Sequence, residues 1–177
     1  MPPRLTSTQK GAIAEAAVEL ASIKLGFVVS RPTTEGRRYD LIVDNGSCLL
    51  RVQCKWGALK NGVISAHIGT CRHTPRHGYV KSTYSVVEID VVAIYAPDLD
   101  DVYAIPIAEV AGQTQVHLRI APCRNNQSIG VKWAEQYAYG AVAQLGERRA
   151  GSAKVRGSSP LSSTVEEAVH QGGLFAV

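Results

Sequence analysis

The sequence predicts an α/β fold in which an opening helix packs on a mixed, mostly antiparallel sheet. Three features predict it: an alanine-rich stretch with helical periodicity comes first, an Asn-Gly turn then joins two strand patterns, and several short apolar runs follow. Of the 177 residues, 45% are apolar and 19% are charged, which supplies a core for one domain and excludes a wholly disordered chain. No glycine-rich nucleotide-binding motif occurs in the sequence, so we exclude a dinucleotide-binding fold.

The first element is predicted as a helix over residues 6–25. Thr6 and Gln9 have the spacing of a capping box, and Gly26 is well placed to end the helix. A short strand is expected next, at residues 27–30, followed by a polar loop.

The strongest local signal is a hairpin between residues 39 and 56. Its central Asn-Gly pair favours a two-residue type I′ turn, because both turn positions need positive φ. That turn would pair Asp40 with Arg51 and make Gln53 a diagonal neighbour of Asp40. Because side chains alternate along a strand, one face of the hairpin is apolar and the other is polar. The polar face carries Asp40, Arg51, Gln53 and Lys55.

Later apolar runs complete the predicted sheet. Strands are expected at residues 62–68, 89–95, 102–107 and 116–121, the last at an edge of the sheet, and a short helix at residues 132–139. Residues 70–81 are predicted as a basic loop.

The charge distribution indicates an anionic partner. The net charge is +4, and no acidic residue lies between Asp44 and Glu88. A domain that keeps acids away from one long segment usually presents that segment to an anion, most commonly nucleic acid. The alternative is a merely solvated basic surface. The predicted DNA contacts are Arg51, Lys60, Arg72, His73, Arg76, His77, Tyr79 and Lys81.

Composition also bears on the cellular compartment. The four cysteines form no CxxC pair and have no zinc-ligand spacing, so we expect reduced thiols in the cytoplasm. The longest apolar runs are far shorter than the ~20 residues that span a bilayer, so no membrane partner is expected.

The polar hairpin face and one helix acid supply the parts of a metal-dependent phosphodiesterase. Hydrolysis of a phosphodiester needs a hard cation, and Mg²⁺ prefers oxygen ligands. Asp40 offers a carboxylate, and the Gln53 side chain and the Cys54 backbone carbonyl offer neutral oxygens. Lys55 would stabilise the developing negative charge. Glu15 would approach from the helix to hold a metal-bound water or a second ion.

These residues resemble the PD-(D/E)XK motif of restriction-like nucleases. Glu15, Asp40 and the run 53–55 stand in the motif positions, and the likeness covers roughly residues 5–139. It is strongest to homing endonucleases carried by group I introns, in which a Gln also replaces the acidic residue. Tyr39 departs from the family's loosely kept Pro, and the Gln removes one charge from the metal site.

The resemblance implies a restriction-endonuclease-like core and a Mg²⁺-dependent endonuclease in which Mn²⁺ can substitute. It further implies double-stranded DNA as the substrate and a homodimer or homotetramer as the assembly. Two other functions stay open: a DNA-binding module without cleavage activity, and a structure-specific junction or repair nuclease. The motif residues also have structural readings. Glu15 could be an exposed helix acid, Asp40 and Arg51 a cross-strand ion pair, and Lys55 a solvent-facing lysine.

The end of the chain differs from the rest. Residues 141–149 can be back-translated into the D-arm of a tRNA gene, and residues 157–160 into its T-arm. We infer that the reading frame runs through an adjoining tRNA gene over residues 141–164; the alternative is a chance Gly/Ser-rich linker. The predicted organisation is a nuclease domain at 1–140 and a disordered tail at 141–177.

Overall fold

One α-helix and nine strands form the framework of the part of the chain that the structure describes. The structure is a computed structural model, and it describes residues 4–34, 36–76, 78–122 and 130–141. In chain order the elements are α1 Ser7–Lys24, β1 Val28–Ser30, β2 Leu41–Asp44, β3 Leu49–Lys60, β4 Val63–His67, β5 Thr70–Thr74, β6 Gly78–Ser82, β7 Val91–Ala96, β8 Asp101–Pro106 and β9 Gln115–Arg119. Short 3-10 turns lie at Ile107–Glu109, Ala134–Tyr137 and Tyr139–Ala141.

A seven-stranded sheet is organised around the long strand β3. The strand order is β1-β2-β3-β4-β9, and β7 pairs with both β3 and β8. β3 and β7 are parallel, and the other pairs of this sheet are antiparallel. The predicted mixed, mostly antiparallel α/β fold is therefore confirmed, as is the edge position of β9.

Local hydrogen bonds explain where α1 begins. The Thr6 hydroxyl accepts from the Gln9 backbone N–H at 3.2 Å, and the Thr6 N–H donates to the Gln9 side-chain oxygen at 2.9 Å. This reciprocal pair is the predicted capping box. Gly26 follows the helix with φ of +78°, a conformation that glycine adopts without strain.

The turn between β2 and β3 differs from the prediction. Gly46 has φ of +83°, but Asn45 does not have the positive φ that a type I′ turn requires. Instead, the Asn45 side-chain oxygen accepts from the backbone N–H groups of Ser47 and Cys48, each at 3.0 Å. The side chain thus organises a longer loop, and the two-residue turn was the wrong prediction.

The longer loop moves the strand register by two residues. Ile42 pairs with Arg51, whereas the sequence analysis paired Asp40 with Arg51. Because the strand period is two, a shift of two leaves every side chain on its predicted face. Continuing the observed register by one residue sets Asp40 opposite Gln53.

Both faces of the sheet are covered. Helix α1 packs on one face over a core that includes Val18, Leu41, Val43, Leu50 and Val52. The opposite face carries a second core, which includes Ile64, Ile89, Val92, Ile94 and Ile105. Gln53 aligns with Val92 in the parallel pair and is only 6% exposed. On the polar face of the hairpin, Gln53 is therefore buried beside the second core, and Asp40, Arg51 and Lys55 are partly buried, because β3 is a central strand.

The remaining predictions have mixed outcomes. The strands expected at 62–68, 89–95, 102–107 and 116–121 are present as β4, β7, β8 and β9. The predicted basic loop is a two-stranded sheet of β5 and β6, and the predicted C-terminal helix consists of 3-10 turns. No helix in the described part of the chain is long and apolar enough to cross a membrane. Apart from residue 141, the predicted tail lies outside the described residues.

Gly57 occupies the point at which β3 leaves β7 and begins to pair with β4, so we expect Gly57→Ala to destabilise the fold. A Cβ there would lie 2.7 Å from Ile64 Cγ2 and 2.8 Å from Ile94 Cγ2, and overpacking of this kind costs about 1–3 kcal/mol. Gly11→Ala is the control, because its Cβ would meet open space on α1 and should stabilise by about 0.5–1 kcal/mol. Urea unfolding measures both. Equal stabilities of Gly57→Ala and the wild type would contradict the packing.

Candidate active site

The centre of the site is a carboxylate held at the start of the β2–β3 hairpin. The Asp40 Oδ2 atom accepts from the Cys54 backbone N–H at 2.8 Å and from the Gln53 side-chain amide. The Asp40 N–H donates to the Val52 carbonyl at 2.9 Å, which fixes the backbone beside β3. The structure thus joins three of the predicted site residues by direct hydrogen bonds.

Burial dominates the electrostatics of Asp40. It raises the pKa of the carboxyl, and the negative charge of Glu15 acts in the same direction. The Cys54 N–H and the positive charge of Lys55 oppose that rise. Burial also raises the pKa of the Cys54 thiol well above its ordinary value. That side chain belongs to the core beneath α1, so Cys54 serves the site through its backbone.

Lys55 is held from the side by an aromatic ring. Its Nζ atom donates to the Tyr84 hydroxyl at 3.4 Å and lies 5.4 Å from the centre of the Tyr84 ring. Burial lowers the pKa of Lys55, and the positive charge of Arg38 acts in the same direction. The ammonium is therefore half-buried against Tyr84, which differs from a solvent-facing strand lysine.

Arg38 lies on the same tyrosine and also reaches the basic hairpin. Its guanidinium carbon is 4.5 Å from the centre of the Tyr84 ring. It donates to the hydroxyls of Thr70 and Ser82 at 3.1 and 3.2 Å, and its Nε pairs with Glu88 at 2.8 Å. These contacts link the base of the β5–β6 sheet to the ring that contacts Lys55.

The helix acid Glu15 reaches the site with an arginine already bound to it. Arg31 Nη1 lies 2.9 Å from the Glu15 carboxylate, and the same guanidinium pairs with Glu19. Glu15 and Asp40 line a common open cleft of about 370 Å³ together with Arg31 and Arg37. Two of the predicted catalytic residues, Glu15 and Asp40, therefore line one cleft. The other two, Gln53 and Lys55, lie on β3.

The predicted DNA contacts are dispersed over several elements. Arg51 pairs with Asp90 at 3.0 Å, so the cross-strand ion pair that the sequence suggested between Arg51 and Asp40 does not form. Three other basic residues, Lys60, Arg76 and Lys81, are exposed, and so is the ring of Tyr79. Arg72 and His73 lie on β5, their side chains are outside the description, and His77 is outside the described residues.

Three residues of the site were absent from the sequence-based selection: Arg31, Arg38 and Tyr84. The two arginines lie in the polar loop that precedes Asp40, and their proximity in sequence to the acidic motif residue is the signal that could have found them. Tyr84 is 4% exposed and carries no local signal, because its contacts with Lys55 and Arg38 arise only from the tertiary fold.

The donor set of the cleft fits a hard divalent cation. The cleft itself supplies the Asp40 and Glu15 carboxylates. Gln53 and Cys54, which hydrogen-bond Asp40 from β3, add an amide oxygen and a backbone carbonyl, so that all the donors are oxygens. The hydrogen bonds to Asp40 within the described residues end on Oδ2, which leaves Oδ1 for a cation. No cluster of three or more His, Cys, Asp or Glu occurs in the described part of the chain, so neutral oxygens and waters would complete the shell.

Comparisons with known proteins place this geometry in context. A family described as PD-(D/E)XK endonuclease matches residues 5–139. Among solved structures, the chain is similar to a bacterial homing endonuclease, I-Ssp6803I, with a TM-score of 0.66 and 24% identity; the match covers 86% of this chain and 100% of that chain. No curated protein sequence matches significantly. The structural likeness confirms the predicted restriction-endonuclease-like fold.

Neutralising Asp40 should stabilise the fold at neutral pH. Because burial raises its pKa, the stability linked to its proton is present below the ordinary value of 3.8 and is lost as the pH rises through the raised value. We expect Asp40→Asn to increase the free energy of unfolding at pH 7 by about 0.5–1 kcal/mol, with the gain shrinking in acid. Asp44→Asn, an isosteric change at the end of β2, is the control. Urea unfolding would contradict this if Asp40→Asn were the less stable protein at pH 7.

Gln53→Glu should weaken the metal-free fold. It exchanges the amide that donates to Asp40 for a second carboxylate at a buried position, and two carboxylates in contact repel. We expect a loss of about 1–3 kcal/mol in EDTA and a larger rise of Tm on adding Mg²⁺ than the wild type shows. Gln53→Ala removes the amide without adding charge and should not gain that metal response. A Gln53→Glu protein as stable as the wild type in EDTA would be inconsistent with this contact.

Proposed function

Because this chain belongs to the PD-(D/E)XK endonuclease family, we propose that it is a metal-dependent homing endonuclease that cuts both strands of DNA. The observation that carries the proposal is the Asp40 carboxylate, held by Gln53 and the Cys54 N–H beside Glu15 and Lys55. Membership of the family itself establishes an endonuclease fold. The substrate that this family membership implies is DNA. The metal, the double-strand cut and the homing role are the finer steps of the proposal.

The carboxylates and neutral oxygens of the cleft would hold the cation. Asp40 and Glu15 would supply charge, and Gln53 and the Cys54 carbonyl would supply neutral ligands. A bound Mg²⁺ polarises the phosphate and lowers the pKa of an attacking water. With Gln in place of an acidic residue the site carries two carboxylates, which is within the one or two that Mg²⁺ sites usually use.

Lys55 would stabilise the charge that develops on the phosphate in the transition state. The Tyr84 hydroxyl and ring hold its ammonium on the strand that also carries Gln53. A positioned cation in a half-buried site acts more strongly than one in bulk water, because less solvent screens it. Burial lowers the pKa of Lys55, and the Asp40 charge opposes that shift, which favours retention of the catalytic charge.

DNA would contact exposed basic residues outside the cleft. Lys60, Arg76 and Lys81 are exposed and would contact phosphates, and the exposed Tyr79 ring lies on the same β5–β6 sheet as Lys81. Arg51 would reach DNA only by leaving Asp90. Cutting both strands generally requires two active sites, so we propose a homodimer or homotetramer.

The proposed target is an intronless copy of the tRNA gene whose sequence the predicted tail resembles. A homing enzyme cuts the site into which its own element inserts, and residues 141–164 resemble a translated tRNA gene. The basis for this target is the set of codons that the residues of the tail permit; the structure of the tail plays no part in it.

Cleavage of that gene in Mg²⁺ should depend on Asp40 and Lys55. We expect Asp40→Asn and Lys55→Met to reduce the cleavage rate by at least about a hundredfold, because each removes a charge from the transition-state environment. Asp44→Asn and Lys24→Met make the same chemical changes away from the cleft and should cut at the wild-type rate. EDTA should abolish cleavage by the wild type.

Three results would redirect the assignment. Equal rates for the wild type, Asp40→Asn and Lys55→Met would refute the active site. Tight, salt-sensitive binding with no cutting of any duplex would favour the DNA-binding module. The uncharged Gln53 supports that alternative, because its amide satisfies the Asp40 carboxylate without a metal. Preferential cutting of branched DNA would favour a junction nuclease.

A further inference from the structure

Arg31 is paired with Glu15, the acid that α1 contributes to the proposed active site. Its Nη1 atom lies 2.9 Å from the Glu15 carboxylate, while its Nε donates to Glu19 at 3.1 Å. Both acids stand one turn apart on α1, and Arg31 follows directly after β1, with Pro32 next in the chain. The guanidinium thus lies between Glu19, a structural carboxylate, and Glu15, a carboxylate that the proposed site needs.

The ion pair and a metal ion compete for the charge of the same carboxylate, because Arg31 already contacts Oε2 of Glu15. A divalent cation on the Glu15 carboxylate would lie beside a guanidinium charge only a few ångströms away, and like charges repel. Glu15 therefore binds a metal ion more tightly when Arg31 moves to another partner. Since the Arg31 side chain is 45% exposed, the pair is worth little, and breaking it costs at most about fivefold in equilibrium.

A DNA phosphate is the partner that the cleft provides. Arg31 lines the cleft with Glu15 and Asp40, where a scissile phosphate would lie. A planar guanidinium binds a phosphate through two parallel charge-assisted hydrogen bonds, and this bidentate contact is stronger than an exposed ion pair. Glu19 remains as an anchor that keeps the arginine at the cleft during the exchange.

We propose that Arg31 exchanges Glu15 for a backbone phosphate when DNA enters the cleft, and that this exchange releases Glu15 to the metal. This inference rests on the proposed function. It assigns to Arg31 the coupling between two ligands of the site: DNA raises the affinity for metal, and by linkage metal raises the affinity for DNA. In the free protein Arg31 keeps the second carboxylate from the metal.

Arg37 provides a matched control for charge. It lines the same cleft and is exposed, but its Nε donates to the Thr34 hydroxyl at 3.3 Å, and no carboxylate contact is described for it. Arg31→Gln and Arg37→Gln therefore remove the same charge from the same cleft, and only the first frees Glu15.

The test is calorimetric titration of Ca²⁺ into the full chain, with and without a target duplex whose integrity is checked on a gel. Without DNA, Arg31→Gln should bind Ca²⁺ about fivefold more tightly than the wild type, and Arg37→Gln should match the wild type. DNA should tighten Ca²⁺ binding by the wild type and leave Arg31→Gln nearly unchanged. Glu15→Gln should lose the effect of DNA.

A second readout follows DNA binding without metal. Removing the phosphate contact of Arg31 should make the slope of log K against log salt concentration shallower by about 0.9. If Arg31→Gln and the wild type bind Ca²⁺ equally without DNA, the exchange is refuted, whatever the slope.

The outcomes separate this inference from the proposed function. If neither the wild type nor Asp40→Asn binds Ca²⁺, even with DNA, the proposed metal site is wrong and the exchange by Arg31 is refuted with it. If the wild type binds Ca²⁺ with DNA through Asp40, but Arg31→Gln gains nothing without DNA, the metal site stands and only the role of Arg31 is overturned.

Discussion

The hydrogen bond from the Cys54 backbone to the Asp40 carboxylate is the interaction on which the rest of the site depends. It ties the segment that precedes β2 to the middle of β3, and the Gln53 amide completes the contact. A carboxylate at this depth stays charged only with donors on it, because burial favours its protonated form. The same contact therefore sets the local backbone, the orientation of the carboxylate and its readiness for a cation.

The length of β3 makes that contact compatible with a packed interior. Its first part pairs with β2 and β7, and its last part, from Gly57 onward, pairs with β4. One strand thereby separates a core beneath α1 from a second core on the other face. Gln53 and Lys55 are polar residues on a central strand, a local inconsistency that natural sequences usually keep for function.

Sequence reasoning succeeded where a short-range cause decides the structure. The capping box of Thr6 and Gln9 marks the start of α1 because all its partners lie within one turn. The Asn-Gly turn misled, since the Asn45 side chain takes two backbone donors that a tight hairpin would have used differently. The prediction of which side chains share a face was still correct, because the register error was two residues, one full period of a strand. Tyr84 could not be selected, since its contacts with Lys55 and Arg38 form only in the folded chain.

The contacts of Arg38 with Thr70, Ser82 and Tyr84 have a consequence for protein engineering. Its bonds to Thr70 and Ser82 fasten both strands of the basic β5–β6 sheet at their base, and its face rests on Tyr84, against which Lys55 packs. A transplanted hairpin that reads another DNA sequence would have to keep those two hydroxyls. Without them, the graft would loosen the tyrosine against which Lys55 packs, so a change in the hairpin would also disturb the proposed catalytic lysine.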